Sequence, residues 1–169
     1  VKNAWSRRKL HNELEKLRDL GIEPIPKMNF STSHDAWLGP YARMVSTEQY
    51  YTVCEDLISE VTDLFDEPRF FHLGMDEETA RHQRYYNYVS LRQGDLWWHD
   101  FLYLVNAVEQ AGSRAWIWSD YIWDHQEKFL ENMPKSVLQS NWYYGLGFDS
   151  DSEMVEAYRV LEEHGYDQV

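Results

Sequence analysis

Cysteine is nearly absent from this chain: Cys54 is the only one among 169 residues. A lone thiol cannot close an intramolecular disulfide or build a cysteine-based metal site. It fits a reducing compartment and leaves export open. Basic residues are scarce as well. Sixteen Lys and Arg stand against 29 Asp and Glu, giving a formal net charge of −13. A surface this acidic repels nucleic-acid phosphate and anionic lipid, so neither is expected as a partner. No apolar run approaches the roughly 20 residues that a bilayer span requires. Glycine occupies eight positions, and none builds a Gly-rich phosphate loop behind a strand-like segment. That argues against a nucleotide-binding open sheet. The sequence opens at Val1 with no Met or signal-like segment and closes on what reads as the start of a strand. The expectation is a single partial domain over residues 1–169, cut at both ends.

Aromatic residues are abundant instead. Eight Trp, 12 Tyr and 7 Phe make up 16% of the chain. Part of that excess fills a core, and the remainder suits a site that stacks flat, C–H-rich faces such as sugar rings.

One pattern recurs: an amphipathic helix, a Gly or Pro stop, then a short apolar strand. Leu10, Leu14, Leu17 and Leu20 fall at helical spacing and Gly21 follows them. Residues 22–29 read as strand-like, near a strand end or at an edge, because Pro24 and Pro26 are awkward inside a sheet. Ser46 and Gln49 form a capping-box pattern ahead of the stripe Tyr50, Val53, Leu57, Val61 and Leu64. Phe70 to Gly74 is the next strand. Asp95 is placed to cap a helix bearing Trp98, Leu102, Val105 and Val108. Residues 115–118 form a strand, 126–132 a short helix, 136–140 a strand and 152–164 a last helix. Trp5, Trp97 and Trp98 fall on helices and are expected to pack. Strict alternation predicts an α/β fold with parallel strands and crossover helices. Strands without clean two-residue alternation suggest that both faces are buried. Long loops after the strands, above all 79–94, are where a barrel builds its active site. The fold class expected is thus a (β/α)8 TIM barrel, present as a partial barrel of about strands 3 to 7.

The chemistry gathers at His72-Leu73-Gly74-Met75-Asp76-Glu77-Glu78. A buried strand runs into three carboxylates, and acids at the C-terminal end of a barrel strand point into its mouth. By the two-residue period His72, Gly74 and Asp76 share a face, with Gly74 leaving room for substrate and His72 beneath Asp76. Like charges held close resist ionising together, and an acid kept neutral can protonate a leaving group while its ionised neighbour stabilises positive charge. A helix N-terminus offers a blander home for Asp-Glu-Glu.

Phe70 to Glu77 resembles the fourth-strand motif His-x-Gly-Gly-Asp-Glu of family 20 glycoside hydrolases, the β-N-acetylhexosaminidases. Three further segments resemble that family in the same order. They are Gly21 to Pro26 followed by His34-Asp35-Ala36-Trp37, then Trp116 to Asp120, then Val137 to Trp142. The resemblance implies an exo-acting enzyme that removes terminal β-linked N-acetylhexosamine by a retaining, substrate-assisted route. It implies Glu77 as general acid and then base, and Asp76 as the group that orients the 2-acetamido substituent. It also implies Trp118 and Trp142 as walls of the acetamido pocket and His34 as a support for the acid. Asp120 is a candidate for a sugar hydroxyl or a turn, and His72 for support from below. Tyr143 and Tyr144 could line the mouth, and Arg81, Arg84, Tyr85 and Tyr86 could touch substrate or pack the loop. The expected partner is a carbohydrate, with no cofactor and no metal. The alternatives are a non-catalytic carbohydrate-binding barrel, a metal-dependent hydrolase using His34, His72, Asp76 and Glu77, and a barrel glycosidase with a protein nucleophile.

Overall fold

Every strand pairing among the described residues is parallel, as alternation with helices demands. In the computed structural model, which describes residues 4–148 and 152–169, three strands form one sheet. They are β1 (Phe70–Gly74), β2 (Arg114–Trp118) and β3 (Leu138–Ser140), in the order β1-β2-β3. Single parallel bridges extend the sheet at both sides, Lys27 to His72 and Gln168 to Gln139. Five segments therefore lie side by side in chain order. Among them run helices α1 (Arg7–Asp19), α2 (Glu48–Leu64), α3 (Asp95–Gln110), α4 (Tyr121–Asn132) and α5 (Glu153–Glu163), and a 3-10 helix over Asp35–Arg43.

The expected strand at 22–29 shrinks to the Lys27 bridge. The His72 N–H donates to the Pro26 carbonyl at 2.9 Å, and the Met28 N–H returns to the His72 carbonyl at 3.0 Å. Pro24 and Pro26 have no N–H to give, so the ladder cannot lengthen towards the N-terminus. β3 likewise starts at Leu138 and not at Ser136.

The helix ends follow from capping chemistry. Ser6 accepts the Lys9 N–H and Ser152 the Val155 N–H, each relieving an orphan donor of a first turn. At α2 the cap is Thr47, which accepts the Tyr50 N–H at 3.3 Å, and not Ser46. Ser46 takes φ 63° and donates its hydroxyl to Asp100 at 2.7 Å. The buried stripe of α2 is accordingly Tyr50, Cys54, Ile58 and Thr62. Gly94, not Asp95, occupies the cap position of α3. α4 begins at Tyr121, five residues before its expected start, with a kink at His125.

β2 alternates after all: Ala115 and Ile117 are buried, while Trp116 and Trp118 on the other face are half-buried. Ala115 and Ile117 join Phe71, Leu73, Phe101, Leu104 and Val108 in the core, where α3 packs on β2 and α2. On the opposite face the His72 ring sits between Trp116 (4.9 Å) and Trp118 (4.8 Å), tilted against both. Trp97 and Trp98 pack as expected, Trp97 lying 4.1 Å from Tyr121. Trp5 does not: it precedes α1 and stays exposed, with the Lys9 ammonium 4.6 Å from its ring. No helix among the described residues is long and apolar enough to cross a membrane.

Candidate active site

Where β1 ends, the backbone turns sharply. Gly74 and Met75 both have φ 73° and Glu77 has φ 57°, in the left-handed region. For Met75 and Glu77 that conformation costs about 1–2 kcal/mol each. A register shift falls between His72 and Gly74, so the two-residue alternation does not carry through to Asp76. Gly74 does not leave room for a substrate either. A Cβ there would meet the Asn29 side chain at 2.2 Å and the Asn29 Cα at 2.7 Å. The space belongs to Asn29, whose side chain organises the turn. Its Oδ1 accepts the Ser31 N–H (3.1 Å) and Met75 N–H (3.2 Å), and its Nδ2 donates to Asp76 Oδ1 at 2.6 Å.

No helix starts near the acids: among the described residues the next is α3 at Asp95, which removes the helix N-terminus reading. The three carboxylates divide. Glu78 is a buried structural acid. Its carboxylate accepts from Arg92 Nε at 2.9 Å and NH2 at 2.5 Å and from the Thr32 N–H at 3.0 Å. Arg92 continues to the Phe30 carbonyl (2.8 Å) and Asp100 (3.4 Å). It thus ties the acid loop to the loop behind Lys27 and to α3.

Asp76 and Glu77 stay accessible, with side chains 17% and 30% exposed. His34 joins them from the loop behind the Lys27 segment. Its Nε2 lies 3.2 Å from Glu77 Oε2 and 3.5 Å from Asp76 Oδ2. The Glu77 backbone is clamped from two sides. Its N–H donates to Asp120 Oδ2 at 2.8 Å, and its carbonyl accepts the Ser33 hydroxyl at 2.6 Å. Asp120 makes no side-chain cap to α4, so its carboxylate serves Glu77 and not the turn. Burial pushes Asp120 up to about 6, opposed by the Glu77 N–H, reinforced by the Asp76 charge and eased by Trp142.

The structure therefore brings His34, Asp76, Glu77 and Asp120 together directly. Trp142 eases the Asp120 charge and lies 4.6 Å from Trp123 and 5.6 Å from Tyr144. Trp118 enters through His72, with the Lys27 ammonium 4.7 Å from its ring. His72 is buried and accepts the Gly74 N–H at Nδ1, 2.9 Å away, which braces the turn from beneath. Burial, aided by Lys27, holds it down to about 3, so the ring is neutral at ordinary pH. Tyr86 ties down its loop by donating to the Ser33 carbonyl, and its ring is exposed, as are those of Tyr85 and Tyr144. Asn29 and His82, whose Nε2 lies 3.4 Å from Glu77 Oε1, were not visible in the sequence. His34, Asp76 and Glu77 offer ligand atoms within 4.8 Å of one another, the donor types that could also hold a divalent ion.

No family model matches this chain, and no curated protein matches it. Solved structures do, and they define its class as an α/β fold shared with glycosidases. A chitobiase from Flavobacterium johnsoniae superposes with a TM-score of 0.68 at 16% identity, over 97% of this chain and 28% of the other. A family 20 exo-β-N-acetylglucosaminidase from Vibrio harveyi, solved with N-acetylglucosamine, gives 0.65 at 14% identity over 97% and 28%. An N-acetyl-β-hexosaminidase from Streptomyces plicatus gives 0.61 at 19% identity over 97% and 33%. The chain thus resembles family 20 β-N-acetylhexosaminidases in fold, as its motifs suggest, and spans about three-tenths of their length.

Proposed function

We propose that the chain is the acid-bearing part of a (β/α)8 barrel, about strands 3 to 7, in a glycosidase that removes terminal β-linked N-acetylhexosamine. The observation that carries this reading is the Asp76–Glu77 pair. Both acids are partly exposed at a strand end, bridged by His34, in a fold shared with hexosaminidases. Residues 1–169 then form one partial catalytic domain, and the partner is a carbohydrate. The net charge of −13 disfavours nucleic acid and anionic membranes.

The chemistry follows from where the groups sit. Glu77 donates its proton to the glycosidic oxygen as the bond to the anomeric carbon breaks. The substrate's own acetamido oxygen attacks that carbon, so no protein nucleophile is needed. Asp76, held by Asn29 and His34, accepts from the acetamido N–H and stabilises the cyclic cation. Glu77, now ionised, takes a proton from water, which opens the ring with net retention. Trp118 and Trp142 wall the acetamido pocket. Asp120 fixes the Glu77 backbone and so the height of its carboxyl.

Release of a chromophore from an aryl N-acetyl-β-glucosaminide or galactosaminide tests the activity. Sugar binding by calorimetry without turnover would instead establish a non-catalytic carbohydrate-binding barrel. A thiazoline analogue of the cyclic intermediate is expected to bind the wild type tightly and Asp76→Asn poorly; equal binding would point to a protein nucleophile. The clustered donors of His34, Asp76 and Glu77 favour a metal-dependent hydrolase as the second reading. Loss of activity with a chelator, restored by a divalent cation, would establish it.

A further inference from the structure

Glu77 meets a second imidazole. His34 lies against Oε2, and His82 lies against the other oxygen, its Nε2 3.4 Å from Oε1. His82 follows Glu77 by only five residues, and one threonine sets the turn that returns it. The Thr79 N–H donates to the Glu77 carbonyl at 2.7 Å. Its hydroxyl oxygen accepts the His82 backbone N–H at 3.3 Å and lies 2.8 Å from His82 Nδ1. The next residue anchors the turn in the interior. Gln83 is buried and exchanges hydrogen bonds with the Ser90 backbone at 2.8 and 2.9 Å, and it donates to Thr32 Oγ1 at 3.0 Å. His82 thus has a fixed backbone and a partly exposed ring.

Neither Thr79 nor His82 is buried, so packing does not account for the chain Thr79–His82–Glu77. Its chemistry does. With the Thr79 hydroxyl donating to Nδ1, the ring proton resides on Nε2, the nitrogen that lies 3.4 Å from Glu77 Oε1. The terminal torsion of a glutamate is broad and roughly two-fold. Two imidazoles, one on each oxygen, remove that freedom and fix the plane of the carboxyl group. A general acid must deliver its proton along a defined line to the leaving oxygen, and small misplacements there are costly.

We propose that His82, oriented by Thr79, is a positioning residue that locks the carboxyl plane of Glu77 for proton delivery. This rests on the reading of Glu77 as the acid, and the test separates the two. Turnover is measured on an aryl N-acetyl-β-glucosaminide with a strongly activated leaving group, which departs with little protonation, and on one with a poor leaving group, which requires it. His82→Leu is expected to lower kcat on the poor leaving group by about 10- to 100-fold and on the activated one by less than about 3-fold. KM and the unfolding midpoint stay nearly unchanged. His82→Gln, whose amide can place an N–H near the position of Nε2, recovers most of the loss, and Thr79→Val shows the same selectivity more weakly. A loss that is equal on both substrates, or absent on both, while Glu77→Gln is crippled overturns the role of His82 alone. A Glu77→Gln variant as active as wild type overturns the acid assignment, and the role of His82 falls with it.

Discussion

Replacing Arg92 by methionine is expected to cost about 3–5 kcal/mol of folding stability, because it strands two buried carboxylates. The Arg92 side chain is 1% exposed, and those of its partners Glu78 and Asp100 are 5% and 0% exposed. A solvent-exposed pair would be worth about 0–1 kcal/mol; this one is shielded on every side. Some compensation survives the change. Glu78 keeps the backbone N–H groups of Thr32 and residue 92, each at 3.0 Å. Asp100 keeps the hydroxyls of Ser46 and Tyr51. Those donors stabilise the two charges without cancelling them. Domains are stable by about 5–15 kcal/mol, so the loss takes about a fifth or more of the total. Urea unfolding of the intact protein, followed by tryptophan fluorescence, reads it directly. At a slope of about 2 kcal/mol per M the midpoint falls by about 2 M. Adding Glu78→Gln to the Arg92→Met variant recovers part of the loss by removing one stranded charge. A shift worth less than about 1 kcal/mol, or a double variant no better than the single one, would refute the reasoning.

Other perturbations test the turn and its surroundings. Gly74→Ala places a Cβ against the Asn29 backbone at a φ of 73°. It is expected to cost at least about 2 kcal/mol in denaturant unfolding and to weaken the hold of Asn29 on Asp76. Met75 has φ 73° too, so Met75→Gly is expected to be more stable than Met75→Ala by about 1 kcal/mol, the reverse of the usual order in regular structure. Asp35 is buried, and burial raises it to about 7, with Arg92 opposing and Glu78 adding to the effect. Between its unfolded value near 4 and 7, the folded state therefore binds more protons than the unfolded state. The contribution of Asp35 to stability accordingly falls as pH rises through that window. Asp35→Asn is expected to gain stability relative to wild type between pH 5 and pH 8, and unfolding midpoints at the two pH values check this.

The sequence showed most clearly what is local and apolar. Phe70 to Gly74 and Ala115 to Trp118 announced their strands because each is a short, aromatic-rich apolar run a few residues after a breaker, Pro68 or Gly112. The acid pair was legible because it follows such a strand directly. Prolines hid how little of 22–29 would pair. The fate of Glu78 depended on Arg92, 14 residues away, and on a fold that buries both, which no spacing rule reports. Asn29 was invisible for a similar reason: its role comes from close approach to Gly74 across 45 positions. His82 left a faint local signal, since a threonine three residues before a histidine can back-bond it, but its contact with Glu77 needed the positive φ of the turn.

The rate of Glu77→Gln on an aryl N-acetyl-β-hexosaminide tests the central claim most directly. The substitution keeps the shape and the backbone clamp from Asp120 while replacing the acidic carboxyl proton with an amide that cannot act as a general acid. Loss of about 10²- to 10⁴-fold in kcat/KM, on a substrate whose leaving group needs protonation, is the predicted result. A variant within about 10-fold of wild type, below what general acid catalysis contributes, would contradict the account.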